Sequence, residues 1–199
     1  MHNYSYMKNK ITKAIAGLSI ALALFTAKTV NAQTTPADKW RLGVGLELGR
    51  PIGNAHDISN FELGGTARLQ YGLNNSTALT LTSGYYNMFG KSYQPLYLTP
   101  GGFVTGDGKI KYKDLGIIPV KLGIKSFLAH RLYFGAEAGA GFETTSLYPD
   151  GSKDTKLILS PTIGYATKVI DLGLRYEGFF GQGNSYGLIG LRVAYGFGL

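Results

Sequence analysis

The chain has 199 residues, a formal net charge of +8, 44% hydrophobic and 13% aromatic residues, only 16% charged residues and no cysteine. The lack of cysteine excludes disulfides, thiolate metal sites and a lipid-modified cysteine anchor. No segment offers ~18 consecutive apolar residues, which excludes a helical membrane protein but not a strand-built one, and the positive excess forms no basic stripe interleaved with aromatics, which excludes nucleic acid as a partner.

Lys8, Lys10 and Lys13 precede the apolar stretch from Ala14 to Phe25, and the small-residue sequence Val30-Asn31-Ala32 follows it. Basic, apolar and small residues in that order predict a cleavable secretory signal peptide over residues 1–32, cut between Ala32 and Gln33. The cut would remove Lys8, Lys10, Lys13 and Lys28, half of the formal +8. Residues 33–39 are expected to form a short periplasmic segment, and residues 40–199 one domain. A soluble domain usually carries about a quarter charged residues, so the deficit suggests an outer surface that avoids water.

From Trp40 onward, the sequence alternates. Leu42, Val44, Leu46 and Leu48 are interleaved with Arg41, Gly43, Gly45, Glu47 and Gly49, the period of a two-sided strand. The same pattern predicts further strands over about 61–72, 76–87, 112–125, 131–143, 156–166, 172–180 and 185–199. The turns at Leu73-Asn74-Asn75, at Ala129-His130 and around Lys168 to Asp171 are short. The connections over Pro51 to Asn60, Met88 to Lys111, Thr144 to Thr155 with Pro149-Asp150-Gly151, and Gly181 to Asn184 are longer.

This alternation of short and long connections predicts an all-β fold, an eight-stranded antiparallel up-and-down transmembrane β-barrel with short periplasmic turns and longer external loops. A soluble lipocalin-like barrel would put its apolar face inside instead. One set of strand positions carries Arg41, Glu47, Glu62, Arg68, Lys121, Lys125, Arg131, Glu137, Glu143, Arg175, Glu177 and Arg192, and the other is almost uncharged. Trp40, Tyr71, Phe127, Tyr165, Tyr195 and Phe197 fall near the periplasmic ends. Phe61, Tyr85, Phe89, Tyr112, Phe142, Phe180 and Tyr186 fall near the external ends. Two aromatic belts around an aliphatic band suit the two membrane interfaces, which places the charged face inside.

A barrel of this size is just wide enough for its own side chains to fill. Glu47, Glu137 and Glu177 are therefore expected to pair near mid-barrel with Arg68, Lys121, Arg175 and Arg192, because unpaired buried charges carry a large desolvation penalty. Glycines on the same face, Gly43, Gly45, Gly49, Gly135, Gly139 and Gly141 among them, would make room for the long side chains. Pro119 lacks a ladder donor and predicts a bulge or local irregularity.

With these features in place, the chain over about residues 40–199 resembles the small outer-membrane β-barrel families, particularly the eight-stranded opacity-like group and related barrels of Bacteroidota. The resemblance rests on the strand and loop layout, on Ile117-Ile118-Pro119-Val120-Lys121-Leu122-Gly123-Ile124-Lys125, and on the terminal Arg192-Val193-Ala194-Tyr195-Gly196-Phe197-Gly198-Leu199. The terminal stretch is similar to the β-signal read by the barrel-assembly machinery, with Ala194 where glycine is usual and Leu199 where a terminal aromatic is usual. The resemblance implies outer-membrane localisation, contact with outer-membrane lipids and lipopolysaccharide, and insertion by that machinery.

It also raises an enzyme alternative, since some eight-stranded barrels modify lipid A at the outer-leaflet rim. Such an activity would need a histidine with a serine or acidic partner, for which His56 and Asp57, with Ser59 and Ser92, are the candidates. A lone His-Asp pair in a polar loop is too weak a signal. Asp150 and Asp154 lack the carboxylate density of a calcium loop. Gly101-Gly102 and Gly106-Asp107-Gly108 precede no helix that would make a phosphate site. No catalytic, cofactor-binding or metal-binding residue is assigned.

The second external loop, with Lys91, Tyr93, Tyr97, Phe103 and Lys109, is the expected interaction element, and its length favours function. The expectation is a non-enzymatic barrel with a closed, charge-filled lumen and a structural or surface-interaction role. A porin-like channel for small solutes is the second reading.

Overall fold

The alternation at Leu42 to Leu48 belongs to a strand that is one wall of a closed barrel in the computed structural model, which describes residues 39–199 except 101, 107, 129, 147–150 and 182–184. The expected signal peptide, the Pro149-Asp150 turn, Gln182 to Asn184, Gly101, Asp107 and Ala129 lie outside the described residues.

The elements in chain order are β1 (Trp40–Gly53), α1 (Asn54–Ile58), β2 (Ser59–Gly72), β3 (Thr77–Gly90), β4 (Ser92–Tyr93), β5 (Leu96–Thr99), β6 (Gly102–Thr105), β7 (Ile110–Lys111), β8 (Leu115–Phe127), β9 (Leu132–Glu143), β10 (Thr155–Ala166), β11 (Ile170–Phe180) and β12 (Tyr186–Gly198). Eight of them close a barrel in the order β1-β12-β11-β10-β9-β8-β3-β2, and every neighbouring pair is antiparallel. Closure pairs the first strand with the last and removes the exposed edges an open sheet would present.

Side-chain chemistry sets the short turns. Asn74 Oδ1 accepts from the backbone N–H of Ser76 (2.8 Å) and Thr77 (2.9 Å), and Thr167 Oγ1 accepts from that of Ile170 (2.9 Å). Asn and Thr side chains thereby satisfy turn donors that no ladder reaches.

The barrel is inverted relative to a soluble protein. Leu46 is 62% exposed and Leu122 66%, while Glu47, Lys121, Glu177 and Arg192 are buried inside. Trp40, Tyr165, Tyr195 and Phe197 face outward near the short-turn end, and Phe61, Tyr85, Phe89, Phe142 and Phe180 do so near the other end. The aromatic belts differ from expectation at three places: Tyr112 precedes β8 and packs on Tyr93 in the extension, Phe127 is buried in the lumen, and Tyr186 packs against an internal apolar cluster. Phe127 shares strand parity with Lys125 and Tyr186 with Arg192, and for these two parity overrides residue type.

Three further expectations are refined or corrected. The expected local irregularity at Pro119 is an interruption rather than a bulge: the ladder between β3 and β8 pairs Ser83 with Val120, skips two positions and resumes in the same register at Tyr86 and Ile117, while the register shift falls at Ser59/Phe61. Asp171, expected in a turn, is the second residue of β11 and points inward. Arg131 stands just outside β9, exposed, and donates to the Tyr165 hydroxyl at 2.7 Å rather than entering the lumen.

The connection Met88 to Lys111, expected as a long external loop, carries a two-level β extension. β4 pairs with β7, and β5 pairs with β6.

Candidate functional site

Two adjoining regions hold the chemistry-bearing side chains: the lumen, and the vestibule above it at the long-loop end. In the lumen, Arg68 Nη2 donates to Glu137 Oε2 at 3.1 Å and its Nε to Thr82 Oγ1 at 2.9 Å, while Thr80 (3.0 Å) and Thr82 (2.6 Å) donate to Glu137 Oε1. Lys121 pairs with Glu177 and lies 3.7 Å from Glu137. Arg175 pairs with Glu47, lies 3.1 Å from Glu177 and 3.7 Å from Glu62, and stacks over the Tyr86 ring at 4.8 Å. Arg192 Nε lies 3.1 Å from Glu47 Oε1. The structure thus brings together all seven expected lumen residues, Glu47, Arg68, Lys121, Glu137, Arg175, Glu177 and Arg192.

It also adds members. Asp171 accepts from Lys125 (2.6 Å) and from the Tyr133 hydroxyl (2.6 Å), and lies 3.8 Å from Arg192. Arg68, Lys121, Lys125, Arg175 and Arg192 therefore stand against Glu47, Glu62, Glu137, Asp171 and Glu177, five cations against five anions in this network, with Arg41 and the Lys156/Glu143 pair also buried. Such pairing is what a narrow, low-dielectric interior requires. Glycine supplies the space: a Cβ at Gly49 would run into Glu62 Oε2, and one at Gly196 into the Arg41 guanidinium. The signal for Asp171 is its spacing of four residues from Arg175, on the same face.

Sequence reasoning missed the apolar layers at both ends of this network. Toward the long loops Tyr86, Met88, Leu115, Ile117, Ile158, Phe179 and Leu188 form a buried cluster, and toward the short turns Phe127, Tyr133 and Ala166 form another. Leu115 and Ile117 share parity with Lys121, and Phe179 shares it with Glu177. These cues could have revealed the first cluster.

Above the apolar cluster lies a cavity of about 440 Å³ bounded by α1, the β4/β7 rung and the barrel rim. The extension is tied to the rim by backbone and side chain: Lys91 N–H donates to Ile58 O (2.7 Å), Lys91 Nζ to His56 O, and Gly90 N–H to Asp114 Oδ1 (2.9 Å). Lys111 pairs with Asp114 at 2.9 Å. The Gly90 N–H, followed by the Lys111 ammonium, holds the Asp114 carboxyl below its usual range.

Of the expected interaction residues, Tyr93, Tyr97 and Lys109 are exposed, Lys91 is half-buried against the rim, and the Phe103 side chain lies outside the described ones. Tyr93 packs on Tyr112 with ring centroids 4.8 Å apart, and Leu98 at the tip is 76% exposed. His56 and Asp57 sit on α1, the Ser59 hydroxyl is given to its neighbour's carbonyl at Phe61 (3.3 Å), and Ser92 is exposed on β4.

Charges inside, an aliphatic girdle outside and aromatic rims define a membrane-spanning eight-stranded barrel of the outer-membrane type. Solved structures share this fold. The attachment invasion locus protein Ail of Yersinia pestis superimposes with a TM-score of 0.52 at 13% identity, over 81% of this chain and 99% of Ail. Ail in complex with the heparin analogue sucrose octasulfate gives 0.53 at 14% identity, over the same shares. No family model matches the chain. No curated protein matches it in sequence.

Proposed function

We propose that this protein is a non-enzymatic outer-membrane barrel that acts as a closed anchor and presents the 91–114 extension for contact at the cell surface. One observation carries the reading: the interior is filled by a paired ionic network capped by apolar side chains, while the long-loop end carries an ordered β extension with exposed Tyr93, Leu96, Tyr97 and Leu98. A filled lumen favours anchoring over conduction. Exposed apolar and aromatic groups above the membrane favour contact.

Outer-membrane lipids and lipopolysaccharide surround the girdle in this reading, and the barrel-assembly machinery recognises 192–199. Membership in the opacity-like or Bacteroidota barrels belongs to the same proposal and rests on 117–125 and 192–199. Ail was captured with a heparin analogue, and the exposed Lys109 and Lys113 give this chain's extension cations with which to meet an anionic surface polymer.

The test is deletion of residues 93–108 from cells displaying the full chain, with attachment to sulfated polysaccharide and heat-modifiable mobility both measured. Lost attachment with unchanged mobility is expected. Unchanged attachment overturns the surface role.

A further inference from the structure

The vestibule has a composition that surface contact by the extension does not require. Met88 and Leu115 make its floor, Ala55 and Ile58 of α1 one wall, and Tyr93, Ile110 and Tyr112 of the extension another. Its volume of about 440 Å³ falls within the roughly 300–1,000 Å³ of small-molecule sites.

The charges around it are unequally answered. Lys111 is matched by Asp114, and Lys156 by Asp154 at 3.0 Å and Glu143 at 3.8 Å. Lys113 also lines the cavity, and among the described residues it has no hydrogen bond or ion pair. An apolar pocket with one unanswered cation at its rim is complementary to an apolar body bearing one negative charge.

We propose that this vestibule is a binding site for a small amphipathic anion, an aromatic or aliphatic body carrying a single carboxylate. The body rests on Met88 and Leu115 against the packed Tyr93 and Tyr112 rings, and the carboxylate meets Lys113. The ligand arrives from outside, since the cavity opens at the long-loop end, and goes no further, since Tyr86, Ile117, Ile158, Phe179 and Leu188 close the lumen below it. The site therefore captures its ligand without passing it through the barrel.

The experiment uses the full chain in phospholipid nanodiscs with naphthoate as probe and naphthyl methanol as its neutral counterpart, read by calorimetry and saturation-transfer NMR against empty nanodiscs. Lys113→Glu is expected to weaken naphthoate roughly tenfold or more while leaving naphthyl methanol unchanged, as loss of a charge-assisted contact does. Tyr112→Ala is expected to weaken both probes. Both substituted residues are exposed, and heat-modifiable mobility verifies that each variant folds. Naphthoate binding no better than empty nanodiscs, or equal binding by wild type and both folded variants, overturns the proposal.

Discussion

Glu47 and Arg192 stand directly opposite each other on β1 and β12, the seam where the first and last strands close the barrel, with Arg192 Nε 3.1 Å from Glu47 Oε1. Arg175 reaches the same carboxylate from β11, and Thr66 donates to it from β2 at 2.6 Å. One side chain thus links four strands around the seam. Glu47→Gln keeps the shape but removes the counter-charge of two buried arginines, and a loss of about 3–5 kcal/mol is expected. Thr66→Val, which removes one neutral donor, should cost only about 1 kcal/mol. Urea titration of the refolded barrel in lipid vesicles, followed by tyrosine fluorescence and gel mobility, measures both.

The apolar cap and the ionic layer beneath it are separate barriers. Wild-type protein in planar bilayers is expected to give no steady conductance steps. Phe179→Ala removes a fully buried ring from the cap and should cost about 3–5 kcal/mol in folding, yet it should stay silent because the Arg175 and Lys121 pairs remain. Steady steps from this variant would place the sole barrier in the cap.

On the outer wall exposure has the opposite meaning from a soluble protein. Leu46 lies halfway along β1 and faces lipid. Leu46→Arg should destabilise the barrel by about 2–4 kcal/mol in a bilayer, although no internal packing is lost. Folding free energies in vesicles check this, and a value near zero would remove the lipid assignment for that face.

Asp114 makes the seating of the extension acid-sensitive. Its carboxyl is held below the ordinary aspartate value by the Gly90 N–H first and Lys111 next. A group whose pKa falls on folding adds stability above its unfolded pKa of about 4, and that contribution disappears as pH falls through the lower folded value. Proteolysis of the 91–114 segment should therefore accelerate below about pH 4 while barrel mobility is unchanged. Asp114→Asn keeps an acceptor but no charge, and should abolish this pH dependence. A protease that is active in acid, with rates normalised to an unstructured peptide, gives the comparison.

The strands were readable because a two-sided wall forces a period of two. Leu42 to Gly49 and Leu132 to Glu143 declare their faces in any environment, and the observed β1 and β9 begin within one residue of where the alternation starts. The inward placement of Glu47, Arg68, Lys121, Glu137, Arg175, Glu177 and Arg192 followed from the same parity. Asp171 was hidden because Lys168 to Asp171 looks like a turn, and local chemistry cannot say that β11 starts two residues early. The apolar cap was hidden for a related reason. Leu115, Ile117, Phe179 and Leu188 are ordinary barrel residues singly, and only the stagger of neighbouring strands brings them to one height.

The sequence by itself determined the strand periodicity, the alternation of short and long connections and the segregation of charge to one face, because these are local consequences of backbone geometry. Only the tertiary structure decided which charges share a carboxylate, where the lumen is capped, how 91–114 rises as paired strands, and that Lys113 is left facing a cavity. Those relationships depend on register and closure, which join residues as distant in the chain as Glu47 and Arg192, and no local pattern carries that information.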